Sequence, residues 1–120
     1  MAAAAKSTTG LDMLRSAVAF RAIQTDSRSR SHPLLLLRYR GNDLEQTRYG
    51  ISTARRIGPA VVRNRLRRRL RTVLRALDGR VTRGWDVLIV TRAAAANASQ
   101  AELEVALHQL LGTAGLLADA

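Results

Sequence analysis

From Val62 to Leu77 the chain repeats apolar residues at Val62, Leu66, Leu70, Val73, Leu74 and Leu77, while six of the nine residues from Arg63 to Arg71 are arginine. Only an α-helix gathers that spacing onto one side; a strand would scatter it over both faces. At about 100° per residue, Leu66, Leu70, Val73 and Leu77 form the centre of a buried stripe. Asn64, Arg68, Arg71 and Arg75 then fall opposite, and Arg63, Arg65, Arg67 and Arg69 lie on the flanks. Gly79 supplies a stop. Such a helix demands a partner core on one side and presents its charge outward on the other.

The rest of the chain predicts what that core is made of. Leu11, Leu14 and Val18, with Phe20 and Ile23 nearby, fit a first amphipathic helix from about Leu11 to Gln24, capped by Thr9 or Asp12. After Pro33, LLLLRY reads as a strand, GND as a turn, and TRYGISTA as a second strand with Tyr49, Ile51 and Thr53 on one face. Together they read as a hairpin. GWDVLIVTR, bounded by Gly84 and Arg92, is a near-continuous apolar run and so a central strand covered on both faces. Ser99 and Glu102 form a capping box ahead of Leu103, Ala106, Leu107, Leu110 and Leu111, ending at Gly112. Polar clusters at Thr25–Ser31, Gly41–Gln46 and Ala93–Ala98 read as loops.

The order is α-β-β-α-β-α, and a helix between two strands implies that they run parallel with a crossover. The expectation is one α+β domain over residues 11–112, a sandwich of one mixed sheet and about three helices. Residues 1–10 are expected to be a disordered tail and 113–120 a flexible one. With no stretch near the roughly 20 apolar residues of a spanning helix and no secretory h-region in MAAAAKSTTG, a cytoplasmic protein is expected, with no membrane role. The absence of Cys excludes a disulfide framework and cysteine-ligated zinc or iron–sulfur centres.

Charge narrows the partner. The chain carries +11, built from 19 Arg and one Lys against nine acidic residues; residues 1–92 are +14 and 93–120 are −3. Between Arg55 and Arg75 there are nine Arg and no acidic residue. Guanidinium groups pair two phosphate oxygens at once, so a polyanion is the leading inference, and a nucleic-acid backbone the leading polyanion. A solvated basic face is the bland alternative. A membrane- or calmodulin-type helix lacks its bulky aromatic face here. Asn64, an uncharged amide inside the Arg array, has both donors and an acceptor for phosphate, ribose hydroxyl or a hydrated ion. His32 and His108 stand alone and the acidic residues are scattered, so no catalytic residue and no protein-bound metal is assigned.

From Arg48 to Arg71 the sequence RYGISTARRIGPAVVRNRLRRRLR closely resembles the protein subunit of bacterial ribonuclease P. The residues that carry the resemblance are Gly50, Ser52, Arg55, Arg56, Ile57, Gly58, Ala60, Val61 and the triplet Arg63, Asn64 and Arg65. Leu14 to Phe20 resembles the family's first-helix segment and GWDVLIVTR its last strand, closed by Arg92. The resemblance implies a left-handed β-α-β crossover, an exception to the usual handedness. It also implies a division of labour in which the RNA subunit, with Mg²⁺ bound mainly by that RNA, cleaves the 5′ leader from precursor tRNA while the protein assists. The implied partners are the catalytic RNA and precursor tRNA, with no further protein.

By resemblance, Arg55, Arg56, Arg63, Asn64, Arg65, Arg67, Arg68, Arg69 and Arg71 contact RNA. A cleft between the first helix and the sheet holds the single-stranded leader, with Phe20, Tyr39, Tyr49 and Ser52 as its candidates. Phe20 reads equally well as the core anchor of its helix. Three positions depart from the family pattern: Gln24 where an aromatic is common, Arg38 at the strand aromatic unless one residue shifts it to Tyr39, and Ala54 for a second Ser. Leader recognition is therefore expected to lean on charge, and Pro59, where Asn is common, to stiffen the turn before the Arg helix. Two alternatives are a non-enzymatic RNA-binding protein of ribosomal type and a paralogue that binds the RNA without aiding processing. The acidic-leaning last helix is expected to face away from RNA.

Overall fold

The computed structural model describes residues 11–118, so the expected tail at 1–10 lies outside the described residues. Three helices, α1 (Ala17–Thr25), α2 (Ala60–Leu77) and α3 (Gln100–Thr113), accompany four strands, β1 (Arg28–Ser31), β2 (Leu35–Gly41), β3 (Arg48–Ser52) and β4 (Trp85–Thr91). The sheet order is β1-β2-β4-β3. β4 is antiparallel to β2, with Leu37 opposite Ile89, and parallel to β3, with Gly50 opposite Leu88.

The expected hairpin between β2 and β3 is therefore wrong. β4 inserts between them, because Val87, Leu88 and Ile89, all at most 1% exposed, need a strand on each side as well as cover on each face. The parallel β3–β4 pair joined through α2 is as expected. β1 is a strand where the polar sequence predicts a loop: RSRS has no apolar residue, and all four are exposed on the sheet edge. α1 is shorter than expected, capped by Ser16, whose side chain accepts from the Val18 and Ala19 N–H groups. Residues 12–14 are extended instead and extend the sheet beyond β3. The Leu14 N–H donates to the Tyr49 carbonyl at 2.7 Å, and the Tyr49 N–H to the Asp12 carbonyl at 2.9 Å.

Alternation along the strands separates two faces. Tyr39, Leu37, Leu35, Tyr49, Val87 and Ile89 pack under α2 and α3, where Leu66, Leu70, Leu103 and Leu107 complete the main core. Leu14, Ile23 and Leu88 are buried apart from that core, on the face that α1 covers. The capping box at Ser99 and Glu102 forms as expected, and α3 runs one residue past Gly112. The expected flexible tail also needs correction, because Leu116 is 1% exposed, its carbonyl accepts from the Thr82 N–H, and Leu117 bridges to Val81. No described helix is long and apolar enough to cross a membrane.

Candidate RNA interface

The Arg helix starts at a turn whose shape the sequence dictates. Gly58 has φ +155°, a conformation that disfavours side chains, and a Cβ there would also lie 3.3 Å from the Val62 side chain. Pro59 follows with φ −65° as the residue preceding the helix. Its carbonyl accepts from the Val62 and Arg63 N–H groups, and the Arg63 Nε donates back to the Gly58 carbonyl at 3.0 Å. Arg63 thus stiffens the turn that aims the helix.

Along α2, Leu66, Leu70, Val73, Leu74 and Leu77 are buried, Asn64, Arg68, Arg71 and Arg75 are exposed, and Arg63, Arg65, Arg67 and Arg69 are half-buried. This is the distribution the projection predicts. Arg55 and Arg56 are exposed on the single helical turn between β3 and α2. Among the described residues, no carboxylate pairs with any Arg from Arg55 to Arg75. Besides Arg63, two of the guanidinium groups have neutral partners. Arg67 donates to the Asn64 side-chain oxygen at 3.1 Å, which orients Asn64 and leaves its NH₂ donors outward. Arg69 donates to the Ala98 carbonyl at 2.7 Å while Gln100 donates to the Arg69 carbonyl, so Arg69 ties α2 to the start of α3.

On the other face, α1 lies across β2 and β4. Phe20 is half-buried there against Gly50, where a Cβ would come 3.0 Å from the Phe20 ring and 3.1 Å from both Leu14 and Leu88. Only glycine lets the ring approach so closely. Ser52 is exposed at the end of the same floor, and the register puts Val90, Leu36 and Arg38 on that floor too. Phe20 and Ser52 thus lie on the same face of the sheet, and Gln24 is exposed on α1. Tyr39 and Tyr49 do not lie on that face. They are 2% and 0% exposed in the main core, on the far side of the sheet. The floor residue is Arg38, with no one-residue shift, and strict alternation from Leu35 and Leu37 carried that signal in the sequence.

Tyr49 does structural work instead. Its hydroxyl donates to the Asp78 carboxylate at 2.6 Å, and Asp78 also accepts from Arg83 at 3.0 Å. Burial first, then the bond to Asp78, push the phenol far above its ordinary value of 10.0. The unfolded chain loses that proton near its ordinary value while the folded chain keeps it, so this contribution to stability is complete below about pH 10 and shrinks as pH rises beyond it. Alkaline unfolding titrations of the parent chain and Tyr49→Phe are expected to diverge above that pH, the substituted chain showing the shallower decline. Among the described residues no three His, Asp or Glu are grouped to hold a metal ion.

Comparison with known proteins gives the family and the fold. The sequence model of the Ribonuclease P family matches residues 10–115. The ribonuclease P protein component of Herpetosiphon aurantiacus is 35% identical over 106 residues, 88% of this chain and 86% of that protein. That of Symbiobacterium thermophilum is 36% identical over 107 residues, 87% of this chain and 91% of the relative. In fold, the RNase P protein of Staphylococcus aureus superposes with a TM-score of 0.81 at 20% identity, covering 88% of this chain and 96% of that one. The Thermotoga maritima RNase P protein, solved with 1-(4-fluorophenyl)-2-thiourea, gives 0.74 at 25% identity over 81% of this chain and 96% of its own. The chain belongs to the ribonuclease P protein family, the protein components of the bacterial ribonucleoprotein that processes tRNA 5′ ends.

Proposed function

We propose that the outward face of α2, with Arg55 and Arg56, binds the catalytic RNA, and that the cleft between α1 and the sheet takes the single-stranded 5′ leader of precursor tRNA. The observation that carries this reading is the Arg array itself: cations without a carboxylate partner among the described residues, on a helix whose opposite stripe is locked into the core. Its charge is neutralised only by something outside the chain. The bond-breaking chemistry would belong to the RNA, and Mg²⁺ held by that RNA would supply the activated water.

The chain's own contribution is positional. Asn64, Arg65, Arg68 and Arg71 draw phosphates onto one helix face, and the bonds of Arg63 and Arg69 fix where that face points. In the cleft, Phe20 offers a ring edge, Arg38 a charge and Ser52 a hydroxyl to an extended strand. Arg38 in place of an aromatic makes leader binding more electrostatic and more salt-sensitive than stacking alone.

The test is precursor-tRNA cleavage by ribonuclease P RNA at low Mg²⁺ with and without this protein. Stimulation at the correct 5′ site is the expected result. Tight binding to unrelated RNAs with no stimulation would mean that the Arg helix is a generic clamp. Phe20→Ala is expected to weaken binding of leader-bearing precursor about fivefold or more, in the range of one stacked base, while mature tRNA binding stays unchanged. Equal loss for both substrates, or a melted α1 by circular dichroism, would make Phe20 a core anchor only.

A further inference from the structure

Trp85 is the only tryptophan of the chain. It opens β4 opposite Gly41, at the end of the sheet remote from Ser52, whose partner is Val90. Five residues of strand, about 16 Å, separate the two ends. At the Trp85 end lies an open pocket of about 360 Å³ lined by Asp26, Arg28, Arg40, Gly41 and Trp85 beside the buried Tyr39. That size is at the lower end of what small-molecule sites occupy, about 300 Å³ upward.

The lining is organised rather than loose. Tyr39 meets the Trp85 ring edge-on, with centroids 5.9 Å apart and planes at 61°, and so fixes the indole from the core side. Arg40 donates to the Asp26 carbonyl at 3.1 Å and to its carboxylate at 3.4 Å, which holds that guanidinium at the rim. Arg28 is exposed and none of the described carboxylates pairs with it. Gly41 keeps the floor open: a Cβ there would meet nothing nearer than the Gly84 carbonyl at 4.0 Å. A fixed aromatic ring with the unpaired Arg28 guanidinium on the same face of the sheet, Arg28 standing opposite Tyr39 in register, matches a base and its phosphate. It does not match a duplex, whose bases present no free π-face.

We propose that this pocket binds one unpaired nucleotide of RNA, its base against Trp85 and its phosphate on Arg28. The assignment rests on the RNA-binding reading above and places a second nucleotide contact outside both the Arg helix and the α1 cleft. The nucleotide comes either from the upstream part of a leader that has traversed the sheet or from an unpaired position of the catalytic RNA. The same chemistry serves both.

Trp85 is its own reporter. The full chain is titrated with a short oligoadenylate while Trp85 fluorescence and the anisotropy of the labelled oligonucleotide are read together. Saturable quenching is expected. Gly41→Val, which stands in register beside Trp85 and fills the pocket, is expected to abolish quenching and weaken affinity about fivefold with an unchanged melting curve. Arg28→Gln, at an exposed position, is the second variant and is expected to lower affinity if Gly41→Val does not fold. Binding seen by anisotropy without quenching, or quenching that survives a folded Gly41→Val, overturns the pocket alone. Absence of any binding overturns the RNA reading with it. Equal quenching by an oligoglutamate of matched charge makes the pocket a general anion site and also overturns the nucleotide assignment. Precursor tRNAs with long and trimmed leaders, and the catalytic RNA alone, then identify the source: quenching that tracks leader length assigns the leader, and quenching by the RNA alone assigns that subunit.

Discussion

Replacing Arg65 and Arg68 together with alanine is expected to weaken binding to the ribonuclease P RNA by about 25- to 60-fold at about 0.1 M salt and to flatten the log–log salt slope by about 1.4 to 1.8. The magnitude follows from counterion release, in which each phosphate contact contributes about 0.7 to 0.9 to the slope and loses its whole contribution as salt approaches about 1 M. The double variant therefore converges with the parent chain at high salt. Arg68 is exposed and Arg65 half-buried, neither is paired with a carboxylate among the described residues, and alanine is the better helix former, so α2 is expected to stay intact. Arg69→Ala makes the contrast. Its guanidinium is bonded to the Ala98 carbonyl, so its loss is expected to lower the melting temperature while changing the salt slope less. Filter binding across a salt series with circular dichroism on each variant separates the two. An unchanged slope in the double variant would remove these residues from the RNA contact surface.

The sequence carried the helix faces far better than the strand neighbours, for a physical reason. A stripe such as Leu66, Leu70, Val73 and Leu77 is local information: spacing alone sets which way each arginine points, and the exposure of Asn64, Arg68, Arg71 and Arg75 follows it. Strand order is not local. The turn residues between β2 and β3 are those of a hairpin, yet β4, more than thirty residues later, takes the place between them because it is the most apolar strand. The same gap explains the tyrosines. Tyr39 and Tyr49 looked like cleft aromatics by their resemblance to a pattern, but pleat parity from Leu35 and Leu37 puts Tyr39 with the core and Arg38 with the cleft. β1 was silent because a fully exposed edge strand needs no apolar residue at all. Residues 12–14 were drawn into a helix by Leu11 and Leu14, whereas the free edge of β3 offered their backbone hydrogen bonds in extended form.

Asp86→Ala is expected to cost about 3 to 5 kcal/mol, because it strands a half-buried cation. Asp86 is 2% exposed on β4. One carboxylate oxygen accepts from the Arg48 Nε and the Asn42 side-chain amide at 2.8 and 2.9 Å, and the other from the Arg48 Nη2 at 2.8 Å. The bond to Asp86 is also the first cause holding the Arg48 pKa above its already high value, so the guanidinium stays charged. This fork joins β3 to β4 and anchors the turn after β2. It sets the sheet that floors the cleft and launches α2 from the end of β3. A fall of about 10 to 20 °C in melting temperature is the corresponding reading for a domain of this size. Asp86→Asn keeps the shape and at least one acceptor, and is expected to lose less than half as much. The decisive variant removes both charges. Arg48→Met with Asp86→Leu leaves no orphaned charge, only one half-buried Asn42 amide N–H, so it is expected to recover most of the stability that Asp86→Ala loses. If the double variant is as unstable as Asp86→Ala, the loss lies in packing at β4 rather than in an uncompensated guanidinium. If it recovers stability but no longer stimulates the catalytic RNA, the fork is kept for the orientation of cleft and Arg helix rather than for stability.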